Sequence, residues 1–389
     1  DVFRRLGSDF LSTIVFLAVS MAIAGGAWLL TGGPVRWLAV LVVATPCPLI
    51  LAVPIAIIAG VSRAASRGVL IKGGGALEVL AGVRALILDK TGTVTEGHAA
   101  VAAVVPARDV PPDEILRLAA SLDQASDHVV ARALVVAATA RGLPLAPPED
   151  VHETPGAGIH GRIEGRAVAI GSTAFVADHA GGGMPAGPPA SQGSDIAVAV
   201  AIDGTVAGLI LLSDTVRPDV PEALARFRAL GVRRIALASG DRADITGAVA
   251  TRLGIDTALA ELTPESKVLA VASFRDDGPV MMVGDGVNDA PALAAADIGV
   301  AMGAHGTVAS VQAADAVLLV DRLDRLAEAM AIARRSRRIA LESVAAGLGL
   351  SLAAMVVAAF GYLPPVEGAI LQEAIDVAVI LNALRALRG

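Results

Sequence analysis

Aspartates follow short apolar runs at three places in the middle of the chain. Asp89 opens the segment DKTGT after residues 85–88, and Asp285 and Asp289 lie four apart in GDGVNDAP after residues 280–283. A carboxylate at the end of a strand can attack a phosphoryl group and form an acyl phosphate. Paired carboxylates supply the hard oxygen ligands with which Mg²⁺ is held against phosphate oxygens. The pattern therefore predicts a phosphoryl-transfer centre.

Other polar residues could complete such a centre. Ser239 and Asp241 end a third apolar run, and the hydroxyl of Ser239 could bind a phosphate oxygen. Lys267, in TPESK, offers a cation for developing charge. Asp214 and Arg217 could buttress the site. Each residue alone is also typical of a turn or a charged surface, but their combination in this order favours one centre.

The segments that carry these residues alternate in type along residues 73–335. Each apolar run ends in an Asp- or Gly-rich loop that leads into a helical stretch. This alternation predicts an α/β unit with a mostly parallel sheet, whose ligands gather at the carboxyl ends of the strands. Residues 178–194 are rich in Gly and Pro and predict a mobile loop without chemistry.

The composition places part of the chain in lipid. Of 389 residues, 54% are hydrophobic and 18% are charged, below the usual quarter for a soluble domain. Uncharged runs cover 10–35, 37–62 and 343–366, and a fourth, 368–384, is interrupted only by Glu373 and Asp376. Since about 20 apolar residues cross a bilayer, four spans in two hairpins are predicted. The alternative to four membrane spans is a set of helices buried in the core of a soluble protein.

Flanking charge predicts the orientation of these spans. Arginines and lysines precede and follow both hairpins, and only Arg36 lies between two spans on the far side. By the positive-inside rule, both termini and the central segment are cytosolic. A net charge of −7 excludes a general nucleic-acid binder, and one cysteine, Cys47, excludes a disulfide scaffold.

With DKTGT at 89–93, TPESK at 263–267, GDGVNDAP at 284–291 and TPCP at 45–48, the sequence resembles the P-type ATPases, specifically their heavy-metal-transporting branch. The resemblance implies a multi-pass protein of a bacterial-type plasma membrane with cytosolic catalytic domains. It implies a haloacid-dehalogenase-like α/β phosphorylation domain with an inserted α+β nucleotide-binding domain, beside an α-helical membrane domain. The implied division is 1–72 and 326–389 for the membrane hairpins, 73–97 and 213–325 for the phosphorylation domain, and 98–212 for the insert.

The resemblance also assigns roles to residues, with ATP as substrate and Mg²⁺ as cofactor. Asp89 is the phosphorylated residue, and the expected catalytic residues are Asp89, Lys90, Thr91, Ser239 and Lys267. The expected Mg²⁺ ligands are Asp89, Thr91, Asp285 and Asp289. The expected nucleotide-binding residues are His128, Gly156, Gly158, Asp214, Arg217 and Asp241. Because hydrolytic relatives have an Asp where Thr91 stands, the acyl phosphate is expected to persist.

The transported ion is expected to bind within the membrane. Prolines on both sides of Cys47, with Pro54 further on, should open the helix and free carbonyls near the thiol. Glu373 and Asp376 are three apart and so are expected to share a helix face. Copper(I) prefers several sulfur ligands, whereas one thiolate with oxygens suits Fe²⁺, Ni²⁺, Co²⁺ or Zn²⁺. Potassium is disfavoured by the cysteine.

The family's actuator motif, Thr-Gly-Glu, does not occur in the sequence. The chain is therefore expected to be the C-terminal portion of a pump, able to accept phosphate but unable to complete the cycle without the N-terminal half as a partner. Two alternatives stay open. One is a membrane-anchored phosphatase or phosphotransferase of the same fold, and the other is a non-pumping, metal-binding regulatory membrane protein.

Overall fold

The computed structural model describes residues 2–31, 33–45, 47–107, 109–126, 128–181, 196–285, 289–303 and 308–387. Within these ranges, only the backbone is described at residues 2–13, 31, 47–49, 98, 99, 129 and 196. The helices, in chain order, are α1 (Val2–Thr31), α2 (Pro34–Val43), α3 (Cys47–Ser66), α4 (Gly74–Gly82), α5 (Pro112–Asp123), α6 (Val129–Ala140), α7 (Thr173–His179), α8 (Val220–Ala229), α9 (Ala243–Leu253), α10 (Pro264–Ser273), α11 (Ala290–Ala295), α12 (Val308–Ala313), α13 (Leu323–Ala359) and α14 (Pro365–Ala383). The strands are β1 (Val69–Ile71), β2 (Ala85–Asp89), β3 (Thr95–Pro106), β4 (Glu149–Thr154), β5 (Gly158–Ile163), β6 (Arg166–Gly171), β7 (Ile196–Ile202), β8 (Thr205–Val216), β9 (Arg234–Ala238), β10 (Thr257–Leu259), β11 (Val280–Gly284), β12 (Ile298–Met302) and β13 (Ala316–Leu318).

The chain forms two compact units. The first comprises Asp1–Val83, Asp315–Val320 and Asp324–Gly389, and the second comprises Arg84–Ala314 and Asp321–Leu323. The five-part division predicted from the sequence stays a proposal.

The first unit consists mainly of apolar helices that pack through small side chains. Alanines of α3 and α14 meet Ile339 and Ala340 of α13, and a second cluster joins α1, α2 and α13. Small residues allow such helices to approach closely. Among the described residues, α13 is the one helix long and apolar enough to cross a membrane. The 19 residues of α14 include three carboxylates, and the apolar stretches Ile14–Leu30, Pro34–Val43 and Ile50–Ser66 are shorter. Four spans are therefore not confirmed.

The helix is interrupted where the prolines around Cys47 predict it. Helix α2 ends at Val43, and α3 begins at Cys47. The side chain of Cys47 and the whole of Pro46 lie outside the described residues. Pro54, expected to add to the opening, lies inside α3, and the helix continues past it. A proline at this position removes one backbone donor and crowds the carbonyl four residues back.

The α/β unit contains two sheets. In the first, β12, β11, β2, β9 and β10 are neighbours in that order and all pair in parallel, as the sequence predicts. The second is antiparallel, with the order β3-β8-β7-β6-β5-β4. Helices α5 and α6 pack on one of its faces, and α7 packs on the other. Residues 178 and 179, expected in a mobile loop, end helix α7, and 182–195 lie outside the described residues.

Candidate active site and nucleotide pocket

Asp89 is the last residue of β2, a strand whose five residues are all buried. The chain then turns sharply through Lys90–Val94, with Gly92 at φ +70°. A Cβ at Gly92 would lie 2.3 Å from Oδ2 of Asp285. Glycine is therefore required at position 92, both for the backbone conformation and for the close approach of a carboxylate.

The neighbouring strand β11 brings two more carboxylates to this edge. Val283 is paired with Leu88, so Gly284 and Asp285 follow at the level of Asp89. Asp289 is buried at the start of α11. Asp89, Asp285 and Asp289 each offer an oxygen, and these oxygens lie within 4.8 Å of one another. Residues 286–288, between the two aspartates of GDGVNDAP, lie outside the described residues.

Lys267 joins the carboxylates from a third element. Thr263 caps α10 by accepting a hydrogen bond from the Ser266 N–H, which places Lys267 in the first turns of the helix. The buried ammonium donates to Oδ1 of Asp89 at 2.5 Å and to Oδ1 of Asp289 at 2.6 Å. The structure thus brings together residues from the three motifs DKTGT, TPESK and GDGVNDAP.

The electrostatics of the cluster are dominated by burial and carboxylate crowding. Burial raises the pKa of Asp89 from 3.8 to about 7, and the charge of Asp289 adds to the rise, while Lys267 opposes it. For Lys267, burial lowers the pKa, but the charges of Asp89 and Asp289 outweigh burial and leave it raised. The ammonium therefore stays protonated, and Asp89 is poised between its two forms near neutral pH.

Arg217 and Asp214 hold the phosphorylation loop in place. Arg217 is buried and donates to the carbonyl oxygens of Gly92 at 3.0 Å, Thr95 at 3.1 Å and Asp321 at 3.2 Å. Asp214 accepts from the N–H of Gly97 at 2.9 Å and from the Thr95 hydroxyl. These described contacts are with the loop, and the expectation that both residues bind nucleotide stays a prediction.

The remaining catalytic candidates lie around the same strand ends. Ser239 follows Ala238, the partner of Asp89 in the sheet, and its buried hydroxyl accepts from the N–H of Asp241 at 3.1 Å. Lys90 is buried and forms an ion pair with Asp241 at 2.5 Å. Asp241 is thus placed beside the loop, and its expected role in nucleotide binding stays a prediction. Thr91 is exposed.

A cavity of about 290 Å³ in the antiparallel-sheet region contains the predicted nucleotide residues His128, Gly156 and Gly158. His128 caps α6, with Nδ1 accepting from the Val130 N–H at 3.2 Å. A Cβ on Gly158 would lie 2.4 Å from the carbonyl oxygen of Ile170, so the wall of the cavity is bare backbone there. Asp127, beside the capping histidine, lies outside the described residues.

Asp123 lines the same cavity and was missed from the sequence. It ends α5 and is buried. Burial raises its pKa from 3.8 to about 7, with a further contribution from the charge of Glu153. The sequence does offer one signal for Asp123, because it is a carboxylate on the mainly apolar buried face of α5, five residues before His128.

Two of the residues expected to bind the transported ion, Glu373 and Asp376, have described side chains in α14. Asp376 is buried in α14 and accepts from Nε2 of Gln372 at 2.9 Å, while Ser351 donates to Oε1 of Gln372 at 3.1 Å. Glu373 is exposed whereas Asp376 is buried, and the expectation that both residues bind the ion stays a prediction. The buried stripe follows i, i+4 spacing, and it includes Gln372 instead.

Comparisons with known proteins agree with this geometry. Residues 83–297 match the haloacid dehalogenase-like hydrolase family model. The manganese-exporting P-type ATPase of Mycobacterium leprae (strain TN) is 38% identical over 99% of this chain and 54% of its own length. The chain belongs to the haloacid dehalogenase-like hydrolases, and its homologues include the heavy-metal-exporting branch of the P-type ATPases. The zinc-exporting P-type ATPase of Mycobacterium marinum (strain ATCC BAA-535 / M) is 37% identical, over 96% of this chain and 52% of its own.

A solved structure of this branch has the same fold. The crystal structure of a zinc-transporting PIB-type ATPase in the E2.Pi state matches with a TM-score of 0.86 and 34% identity, covering 97% of this chain and 62% of the other. The chain spans about half the length of the curated P-type ATPases that it matches.

Proposed function

We propose that this P-type ATPase homologue contributes to ATP-driven transport of a divalent heavy-metal cation across a membrane, through phosphorylation of Asp89. The observation that carries the proposal is the buried cluster in which Lys267 binds both Asp89 and Asp289, with Asp285 within ligand distance. It is an arrangement for placing a carboxylate nucleophile beside a cation and a pair of hard oxygen ligands.

The proposed phosphorylation step uses the two oxygens of Asp89 differently. Oδ1 accepts from Lys267, so Oδ2 attacks the γ-phosphorus of ATP. A P–O bond forms to Asp89, the bond to the bridging oxygen breaks, and ADP leaves with that electron pair. The ammonium of Lys267 stabilises the negative charge on the phosphoryl oxygens. Arg217 holds the Gly92 carbonyl and so keeps the loop in register with the attacking carboxylate.

The carboxylates of Asp89, Asp285 and Asp289 fit a magnesium ion. All three ligands are hard oxygens, and Gly92 leaves the space against Asp285 clear, since a Cβ there would overlap that carboxylate. When bound, Mg²⁺ neutralises charge on the phosphate oxygens. Thr91 carries no carboxyl or imidazole group for activating water, and this favours a lasting acyl phosphate.

The nucleotide is proposed to bind in the cavity that contains His128, Gly156 and Gly158. The ring of His128 is exposed at the start of α6, where it can stack on or hydrogen-bond an adenine. Bare backbone at Gly158 admits a flat ligand against the sheet.

The transported ion is proposed to bind along a path that includes the interrupted helix at Cys47 and the buried carboxylate of Asp376. Thr45, in the same interruption, has a buried hydroxyl with no hydrogen bond to the described residues. A thiolate with oxygen ligands suits Fe²⁺, Co²⁺, Ni²⁺ or Zn²⁺. The names of the relatives add Mn²⁺ to this class and support Zn²⁺. The proposal also includes four membrane-spanning helices, with the catalytic domains on the cytosolic side of the membrane.

Phosphorylation by labelled ATP across a panel of divalent metals tests the function. We expect an acid-stable, hydroxylamine-labile phosphoprotein that Asp89→Asn abolishes and that responds to a cargo metal through Cys47 and Asp376. Phosphatase activity indifferent to metal and to Cys47→Ser would instead establish a membrane-anchored phosphatase. Absence of any phosphoprotein would refute the proposed cycle and favour a regulatory metal-binding protein.

A further inference from the structure

Three arginines line a cavity of about 250 Å³ at one end of the apolar helices in the first unit. Arg63 lies in the last turn of α3 and Arg67 directly follows that helix, while Glu328 and Arg335 come from the first turns of α13. Ala386, from the turn after α14, completes this side of the cavity. We call the cavity the arginine pocket. Three arginines against one glutamate leave it an excess of two positive charges.

Close packing of α3 on α13 forms the pocket. A Cβ at Gly60 would lie 2.5 Å from Oγ of Ser336, so the two helices approach as closely as a bare backbone allows. Arg63 follows Gly60 by one turn and Arg335 directly precedes Ser336, so the two cations line one cavity just beyond the contact. Arg63 also donates to the carbonyl oxygen of Leu387 at 3.1 Å, which fastens the turn after α14 to the end of α3.

The protein itself neutralises only part of this charge. Nη1 of Arg67 lies 3.6 Å from Oε2 of Glu328, and the same oxygen accepts from Arg325 at 3.1 Å. Arg335 is half-buried and makes no hydrogen bond or ion pair within the described part of the chain. Each guanidinium carries five N–H donors, so the pocket has donors to spare for an anion with several oxygens.

The arginine pocket stands where apolar sequence gives way to charge. The uncharged run 37–62 ends directly before Arg63, and the run 368–384 ends two residues before Ala386. If the apolar helices cross the membrane as the proposed function has it, this level is the headgroup region on the cytosolic side. Anionic lipids give that surface a negative potential, which attracts basic groups.

We propose that the arginine pocket binds the phosphate group of an anionic lipid headgroup, a proposal that rests on the membrane placement in the proposed function. The planar fork of an arginine matches two phosphate oxygens at once. Soluble phosphate esters offer the same group, but the surroundings favour a lipid. Ile332 gives the pocket an apolar wall, and Leu384 and Leu387, on either side of Ala386, are exposed apolar side chains. A headgroup bound here would tie together the ends of α3 and α14, the helices that contain Cys47 and Asp376.

Native mass spectrometry of the full chain in a neutral detergent tests the pocket. Phosphatidylglycerol and phosphatidylcholine are titrated separately, and the dissociation constant of the first bound lipid is measured for each. Wild type should bind phosphatidylglycerol about tenfold or more tightly than phosphatidylcholine, the effect of a single hydrogen bond to a charged group. Arg335→Gln should lose this preference, and it breaks no contact with the described residues. Glu328→Gln should strengthen phosphatidylglycerol binding, because the carboxylate no longer competes for Arg67.

Arg338→Gln is the matched control, since this arginine lies on the same helix, is exposed and lies outside the pocket. It makes the same change in charge and should keep the wild-type preference. Equal losses in Arg335→Gln and Arg338→Gln, or no preference in wild type, would overturn the proposal. Displacement of the lipid by equimolar glycerol 3-phosphate would overturn the lipid as ligand in favour of a soluble phosphate ester. Asp89→Asn should bind lipid as wild type does, so this proposal and the proposed phosphorylation can fail separately.

Discussion

The close approach of Asp285 to Gly92 makes Gly92→Ala a sharp test of the active-site geometry. A methyl group at position 92 would stand 2.3 Å from Oδ2 of Asp285, whereas ordinary contact begins near 3.4 Å. The carboxylate must therefore retreat by about 1 Å. Misplacement by that distance at a catalytic site costs on the order of 100-fold in rate, or about 2.7 kcal/mol of transition-state free energy.

The substitution also strains the backbone, and Gly204→Ala isolates that effect. Gly204 has φ +70°, the same as Gly92, but nothing lies within 4 Å of its Cβ position. Both variants carry the cost of an alanine in the left-handed region, about 1 kcal/mol. Only Gly92→Ala displaces a carboxylate, so only this variant should lose function.

The assay is the initial rate of phosphoprotein formation from labelled ATP, measured across a Mg²⁺ titration. We expect Gly92→Ala to fall about 100-fold and to need more Mg²⁺, and Gly204→Ala to stay within about threefold of wild type. Wild-type rate and Mg²⁺ dependence in Gly92→Ala would refute the inference that Asp285 must stand against the loop. An equal loss in both variants would assign the effect to backbone strain.

Three further predictions follow from buried charges. Arg217→Lys keeps the positive charge, but a single lysine nitrogen cannot reach all three carbonyl oxygens. Because each lost hydrogen bond is worth about 1–3 kcal/mol, differential scanning fluorimetry should show a lower melting temperature. An unchanged melting temperature would contradict the inference that Arg217 holds the loop. Lys267→Met leaves the carboxylates of Asp89 and Asp289 buried without their cation, and phosphoprotein formation should become undetectable; a wild-type signal would contradict this. The pKa of Asp123 is raised from 3.8 to about 7, so the folded protein holds the proton of this carboxyl more tightly than the unfolded chain does. Asp123 therefore contributes fully to the free energy of unfolding below pH 3.8, and this contribution is lost as the pH rises through 7. Infrared difference spectra of wild type minus Asp123→Asn should show a protonated-carboxyl band at pH 5 that disappears by pH 8, and absence of the band at pH 5 would disprove the shift.

The two carboxylates at the centre of the catalytic cluster were predictable because each comes at the end of a strand. The carboxyl ends of parallel strands share one edge, so Asp89 and Asp285 had to be neighbours once β2 and β11 paired. The sequence predicts Arg217 as a buttress of the site, but it does not predict which atoms Arg217 contacts. Its partners are carbonyl oxygens of Gly92, Thr95 and Asp321, and backbone atoms leave no signature in a residue pattern.

Features that depend on packing partners could not be predicted from the sequence. Helical spacing places Glu373 near Asp376, because residues three apart lie about 60° apart around a helix. The buried stripe of α14 is nevertheless narrow enough to exclude Glu373, and its width depends on the neighbouring helices. The pairing of His152 with His160 likewise depends on the register of β4 with β5, which the interval of eight residues between them does not reveal.

The charge in the active site fits the proposed role of a divalent cation in the chemistry. Three carboxylates lie close together, two of them bind the ammonium of Lys267, and the second lysine nearby, Lys90, is paired with Asp241. Two like charges about 4 Å apart repel by about 4 kcal/mol at an effective dielectric constant of 20, so a bound cation would ease the entry of a phosphate. Lys267 cannot do this alone, because its ammonium already binds Asp89 and Asp289. The raised pKa of Asp89 reflects the same excess of negative charge together with its burial. A neighbouring divalent cation would lower that pKa and so favour the ionised nucleophile when the phosphate arrives.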